Sequence, residues 1–172
     1  MKKFLFYPIV ILLVLEGVSL AQQNMDQTKN YWLNLGVGAG SVGTAGIISL
    51  NFQFGEQILT LGHHSNFQLF GSDFWDIGVI YGKQLSNKGT IFTSVGAGLS
   101  IVGGTRRTEG LSLFSQGPPP RPINLTLGIP LEMQFIIRPS SAIGIGVCGH
   151  ININKENPFA GLTLCLQFGK IK

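Results

Sequence analysis

Asp76, Glu132 and His150 are ionisable side chains set inside long alternating apolar segments, and Asn152 follows two residues after His150 in GHININ. Counting back across the RPSS link places Glu132 beside Cys148 or His150. A Glu–His pair in one enclosure can serve as a buried switch or an acid–base couple; the simpler alternative is a polar plug that stiffens its surroundings. Cys148 and Cys165 are the only cysteines. If KENP forms the loop, with Asn154 opposite Phe159, Cys148 lies across from Cys165, His150 from Thr163 and Asn152 from Gly161. A cross-strand disulfide and a pair of small free thiols both remain open. The string GHHSNF places His63 and Ser65 on one strand face. No metal-ligand cluster and no cofactor motif is read.

The elements that must hold these residues alternate with period two, so they are strands with two unlike faces. Eight such segments are counted: YWLNLGVGAG from Tyr31, GIISLNFQF to Phe54, ILTLGHHS over Ile58–Ser65, FWDIGVIYGK to Lys83, TIFTSVGAGLSIV to Val102, INLTLGIPLEMQFII to Ile137, and two within Ala142–Lys172. Links after the second, fourth and sixth (GEQ, QLSNKG, RPSS) are short, while those after the third and fifth are longer. An even strand number with short turns at one end and longer loops at the other is the pattern of a transmembrane barrel. The chain is therefore expected to be all-β, an eight-stranded antiparallel up-and-down transmembrane β-barrel.

Composition says which solvent each face meets. Charged residues make up only 12% of the chain, about half the usual quarter. The non-apolar faces carry Gly, Ser, Thr, Asn and Gln, which suit a crowded narrow lumen better than a water-facing exterior. The apolar faces, such as Leu33/Leu35/Val37 and Ile123 through Ile137, are nearly unbroken and suit hydrocarbon. Ile143 and Leu164 are expected to face lipid, and Gly144 and Thr163 the lumen. Tyr31, Phe54, Trp75, Tyr81, Phe159 and Phe168 stand near segment ends, where interfacial aromatics belong. The net charge of +4 is scattered, which gives no nucleic-acid patch. The GxG pairs Gly36/Gly38, Gly96/Gly98 and Gly144/Gly146 lack the following helix of a phosphate loop.

Residues 1–21 read as a cleaved signal peptide: Lys2 and Lys3, an apolar run from Phe4, then Ser19-Leu20-Ala21. Residues 22–30 form a short N-terminal segment and 31–172 the barrel. An inverted, soluble periplasmic barrel is the alternative if the apolar faces point inward.

The strand pattern, the signal segment and the closing LTLCLQFGK resemble the small OmpA/OmpX-like outer-membrane barrels. LGIPLEMQF and GHININKENPFAGLTLCLQFGK are similar to uncharacterised outer-membrane barrel-domain proteins of Bacteroidota. These resemblances imply integral outer-membrane location, lipid and lipopolysaccharide as surroundings, and barrel-assembly machinery as a partner in biogenesis. An eight-stranded barrel fills its own interior, so the expected role is structural or binding through the long loops, chiefly residues 103–122, and not that of a general porin; Arg106 and Arg107 there are read as solvated loop charge or as contacts for lipopolysaccharide phosphates. GHHSN also resembles the motif of lipid A 3-O-deacylases, which are eight-stranded outer-membrane barrels. That second resemblance implies an acyl hydrolase with His63 as base, Ser65 as nucleophile, Asn66 matching the motif's Asn, and Asp73 or Asp76 as the acid.

Overall fold

A computed structural model describes residues 30–68, 72–88, 90–106 and 121–170. The signal segment, most of the short N-terminal segment, and Arg107 with the Pro-rich centre of the long loop lie outside the described residues. The described strands are β1 (Asn30–Gly40), β2 (Gly43–Phe54), β3 (Gln57–Phe67), β4 (Asp73–Lys88), β5 (Ile91–Arg106), the two-residue β6 (Arg121–Pro122), β7 (Thr126–Ile137), β8 (Ile143–Asn154) and β9 (Phe159–Lys170). Neighbours in sequence pair antiparallel except β6 and β7, which both pair with β5, and β9 returns to β1, from Tyr31↔Lys170 to Gly40↔Gly161. With β6 and β7 sharing one position, the sheet is a closed eight-strand transmembrane barrel.

The period-two pattern becomes inside and outside. Val37 (63% exposed), Leu127 (67%) and Leu164 (60%) point outward, while Asn34, Asn51, Asn152 and Gln167 are fully buried in the lumen. Ile143 and Leu164 are exposed, and Gly144 and Thr163 are buried, as the alternation requires. The lumen is too narrow for side chains everywhere. A Cβ on Gly98 would stand 1.9 Å from the Val79 carbonyl oxygen, and one on Gly146 2.0 Å from that of Phe135. At these positions a neighbouring strand's backbone occupies the space of a side chain.

Link lengths alternate between the two ends. One end holds Gly55–Glu56, the β4–β5 turn and the segment between β7 and β8; Gly55 takes φ 61°, which glycine adopts without strain. The other end holds the links 68–72, 107–120 and 155–158, together with the tight Ser41–Val42 turn.

Four details differ from the sequence-based expectation. QLSNKG is not a short link: β4 runs on to Lys88 through a bulge between Gln84 and Ser86. The sixth segment is broken at 123–125, and Ile123 packs inward against Phe74, Val102 and Phe159. Phe159 is therefore not an interfacial aromatic; it shares the lumen parity of Thr163 and is 2% exposed. The β8–β9 register is also displaced. Cys148 pairs with Thr163, Cys165 with Gly146, His150 with Gly161 and Asn152 with Phe159. The Asn154 side chain accepts hydrogen bonds from the Glu156 and Asn157 amides at 3.1 and 2.8 Å, so the loop is wider than KENP alone. The two cysteines are free thiols rather than directly opposed partners.

An outward charge at mid-strand should be far more damaging than an outward shape change. Leu164→Arg should cost about 2–4 kcal/mol of folding free energy, and Leu164→Ile far less. Urea-dependent folding into phospholipid vesicles, followed by tryptophan fluorescence, checks both.

Candidate functional site in the barrel lumen

Two cross-strand pairs face each other across the lumen. His64 on β3 is the register partner of Asp76 on β4, and Glu132 on β7 is the partner of His150 on β8. Each histidine also reaches the other pair. His64 Nδ1 lies 2.8 Å from Asp76 Oδ1, and its Nε2 lies 3.2 Å from Glu132 Oε2. His150 Nε2 lies 3.1 Å from Asp76 Oδ2. The imidazole rings stack with centroids 3.5 Å apart and planes 7° from parallel. All four side chains are buried. Both nitrogens of His64 face carboxylate oxygens, and only an imidazolium can donate to both.

The network continues toward both ends of the barrel. Asn152 Nδ2 donates to Asp76 Oδ2 at 2.5 Å and to Ser100 Oγ at 2.8 Å. Beyond Asn152, toward the end with the longer loops, Phe74, Val102 and Phe159 form an apolar stopper with Val42 and Ile123. In the other direction Gln134 donates to Glu132 and, at 3.3 Å, to Asn51 Oδ1, which also accepts from Thr60 Oγ1 at 2.7 Å. Asn34 donates to Ser49 at 3.3 Å, Gln167 to Asn34 at 3.2 Å, and Arg138 Nε to Gln167 at 2.7 Å. The Arg138 guanidinium then lies 3.6 Å from the Phe92 ring centroid and 4.9 Å from that of Trp32, closing the turn end with cation–π contacts. A cavity of about 10 Å³ beside Thr60, Ser94, Glu132 and Gln134 has room for roughly one water.

The structure thus brings together Asp76, Glu132, His150 and Asn152, the residues read from the sequence as a lumen cluster. It adds two that were missed. His64 lies one residue from the His63/Ser65 pair, on the opposite face, and the alternation that placed His63 outside also places His64 inside. Arg138 was read as part of a turn, although it continues the inward parity of Glu132, Gln134 and Ile136.

His63, Ser65 and Asp73 lie on the outward parity. His63 Nδ1 is 2.8 Å from the Asp76 carbonyl oxygen, and its ring is 6.5 Å from that of Trp75. Ser65 is the register partner of Trp75, and Asp73 that of Phe67. No hydrogen bond joins His63, Ser65 and Asp73 among the described residues. Asn66 faces the lumen instead and is 1% exposed. Thr163 Oγ1 lies 3.2 Å from Cys165 Sγ and donates at 3.2 Å to the Cys148 backbone carbonyl.

No protein-family pattern and no curated protein sequence matches the chain. Solved structures do match in fold. The N-terminal β-barrel domain of Pseudomonas aeruginosa OprF aligns with TM-score 0.59 and 11% identity, covering 81% of this chain and 96% of that one. Neisserial surface protein A aligns with TM-score 0.54 and 10% identity, over 81% and 94% of the two chains. The Yersinia pestis outer-membrane protein Ail in a phospholipid bilayer nanodisc gives TM-score 0.53 and 10% identity, over 83% and 99%. The fold is that of small outer-membrane barrels.

Adjacent histidines should behave differently when truncated. His64→Ala leaves two buried carboxylates without their shared donor and should cost about 3–5 kcal/mol. His63→Ala, on the outer face, should cost under about 1 kcal/mol. Equilibrium urea unfolding of both variants in vesicles makes the comparison.

Proposed function

We propose that this chain is an integral outer-membrane protein that presents contact loops on a closed barrel. The observation that carries this reading is the filled lumen: an apolar stopper at one end, a stacked aromatic–arginine closure at the other, and a continuous polar network between them. A small barrel packed in this way does not conduct as a general porin does. The apolar exterior supports lipid as its surroundings, and the alternation of link lengths supports placing the longer loops outside the cell. In this reading residues 1–21 direct export, barrel-assembly machinery inserts the chain, and the 103–122 loop meets a surface molecule or protein partner. Arg106 and Arg107 give that loop two cations for lipopolysaccharide phosphates.

A second reading, an acyl hydrolase acting on lipid A, has one geometric feature in its favour. The hydrogen bond from His63 Nδ1 to the Asp76 carbonyl fixes the proton on Nδ1 and leaves Nε2 as a base on the same outward face as Ser65. Against it stands the absence of a carboxylate partner for His63 among the described residues.

Two measurements test these readings. Purified protein in planar lipid bilayers should show no stable porin-sized conductance steps; large steady currents would remove the closed-barrel reading. Mass spectrometry of lipid A from cells overexpressing the protein should match that from a Ser65→Ala control. Loss of an acyl chain that depends on Ser65 would instead establish the hydrolase.

A further inference from the structure

The lumen network holds three ligand-type groups on one centre and a buried ring nitrogen without a partner. Asp76 and Glu132 supply two negative charges, which His64, donating to both, and Arg138 at the turn end offset. His150 donates from Nε2 to Asp76, while its Nδ1 is buried without a hydrogen-bond partner. A second proton there would place one imidazolium on another at 3.5 Å, face to face, and like charges at that separation repel strongly in a low-dielectric interior.

A divalent cation can draw both rings and Asp76 to one centre without that proton. We propose that the lumen binds a divalent transition-metal ion of the zinc class, held by His64 Nδ1, an Asp76 carboxylate oxygen and His150 Nε2. Ligand-type atoms of these three residues already lie within 4.8 Å of one another, on three different strands. Two imidazoles and a carboxylate, with a fourth position left to water, form a common donor set for such an ion. The surrounding groups are also in place. His64 keeps its Nε2–H for Glu132, the carboxylate–imidazole arrangement that orients a metal-bound histidine. Asn152 steadies Asp76 from the other side.

The protons balance as well. On binding, His64 releases its Nδ1 proton, and His150 moves its remaining proton from Nε2 to Nδ1. The ion, two neutral imidazoles and two carboxylates then sum to zero charge, with Arg138 outside this group at the turn end. The rings must leave their parallel stack by turning about χ2, so that both nitrogen lone pairs point at one centre about 2.0–2.1 Å away. Because both ends of the lumen are closed, the ion enters while the barrel folds.

The test uses untagged full-length mature chain, refolded from urea into detergent micelles with Zn²⁺ or Co²⁺ present and then freed of loose metal. Folding is verified by gel mobility without heating. The expected result is about one ion per folded chain and none on chain kept in urea. X-ray absorption of the zinc-loaded protein should show two imidazole nitrogens and carboxylate oxygen in the coordination shell. His64→Gln and His150→Gln should abolish retention, and Glu132→Gln should weaken it about 10–100-fold. A folded wild-type chain that retains no ion overturns the proposal, as does a coordination shell without imidazole. So does retention unchanged in both histidine variants. If the variants do not fold, the wild-type stoichiometry and absorption spectrum decide by themselves.

Discussion

Hydrocarbon offers no hydrogen bonds to an amide, so a chain that crosses it with strands must pair every backbone N–H and C=O within itself. The β1–β9 ladder does this by removing the last two sheet edges. Much of the remaining structure follows from that closure. Eight strand positions enclose a narrow interior, and narrowness brings backbones so near that glycine is required at Gly98 and Gly146. The side chains that do point inward have no bulk water and must satisfy one another. Those that point outward at mid-barrel need only be apolar, as Val37, Leu127 and Leu164 are.

The same dryness explains the form of the polar interior. A lone buried carboxylate is expensive, and a buried ion pair often only breaks even. Here neither carboxylate depends on a single partner. Asp76 is met by two histidines and an asparagine, and Glu132 by His64 and Gln134. Each histidine bridges the two cross-strand pairs, so the network ties β3 and β4 to β7 and β8 across the barrel. Arg138 is handled differently. It accepts no carboxylate and rests its charge on the faces of Phe92 and Trp32, giving one hydrogen bond to Gln167.

Much of this was legible in the sequence, because strand parity is a strong signal when one face meets lipid. Parity alone separated Leu164 from Thr163 and placed Asp76, Glu132, His150 and Asn152 on the inner side. It carried equal information about His64, which stands between His63 and Ser65 on the opposite face of that strand. What parity cannot carry is geometry made by loops. The β8–β9 register depends on how many residues the Asn154 turn takes up, and a displacement by an even number leaves every side chain on its proper face while changing every partner. That is why Cys148 and Cys165, expected as direct partners, face Thr163 and Gly146 in the ladder instead. Phe159 and Ile123 failed for a related reason: each lies where a ladder begins or breaks, and apolar side chains there can turn inward to close the lumen. Arg138 lies one residue beyond β7 on the inward parity of Glu132, Gln134 and Ile136, where its charge and the following Pro139 read as a link.

The crossing of the lumen by His64 and Glu132 joins residues 68 apart in the chain. Contacts of such long sequence separation are absent from any partly formed hairpin and arise only when the sheet has nearly curled shut. Until then only the hairpin contact of His64 with Asp76 and the register neighbours Glu132 and His150 are together. The cross-lumen part of the network therefore rewards complete closure. Contacts made late in closure act mainly on the rate at which the barrel opens again. The network acts as a latch on the lifetime of the folded state, independent of anything the loops go on to bind.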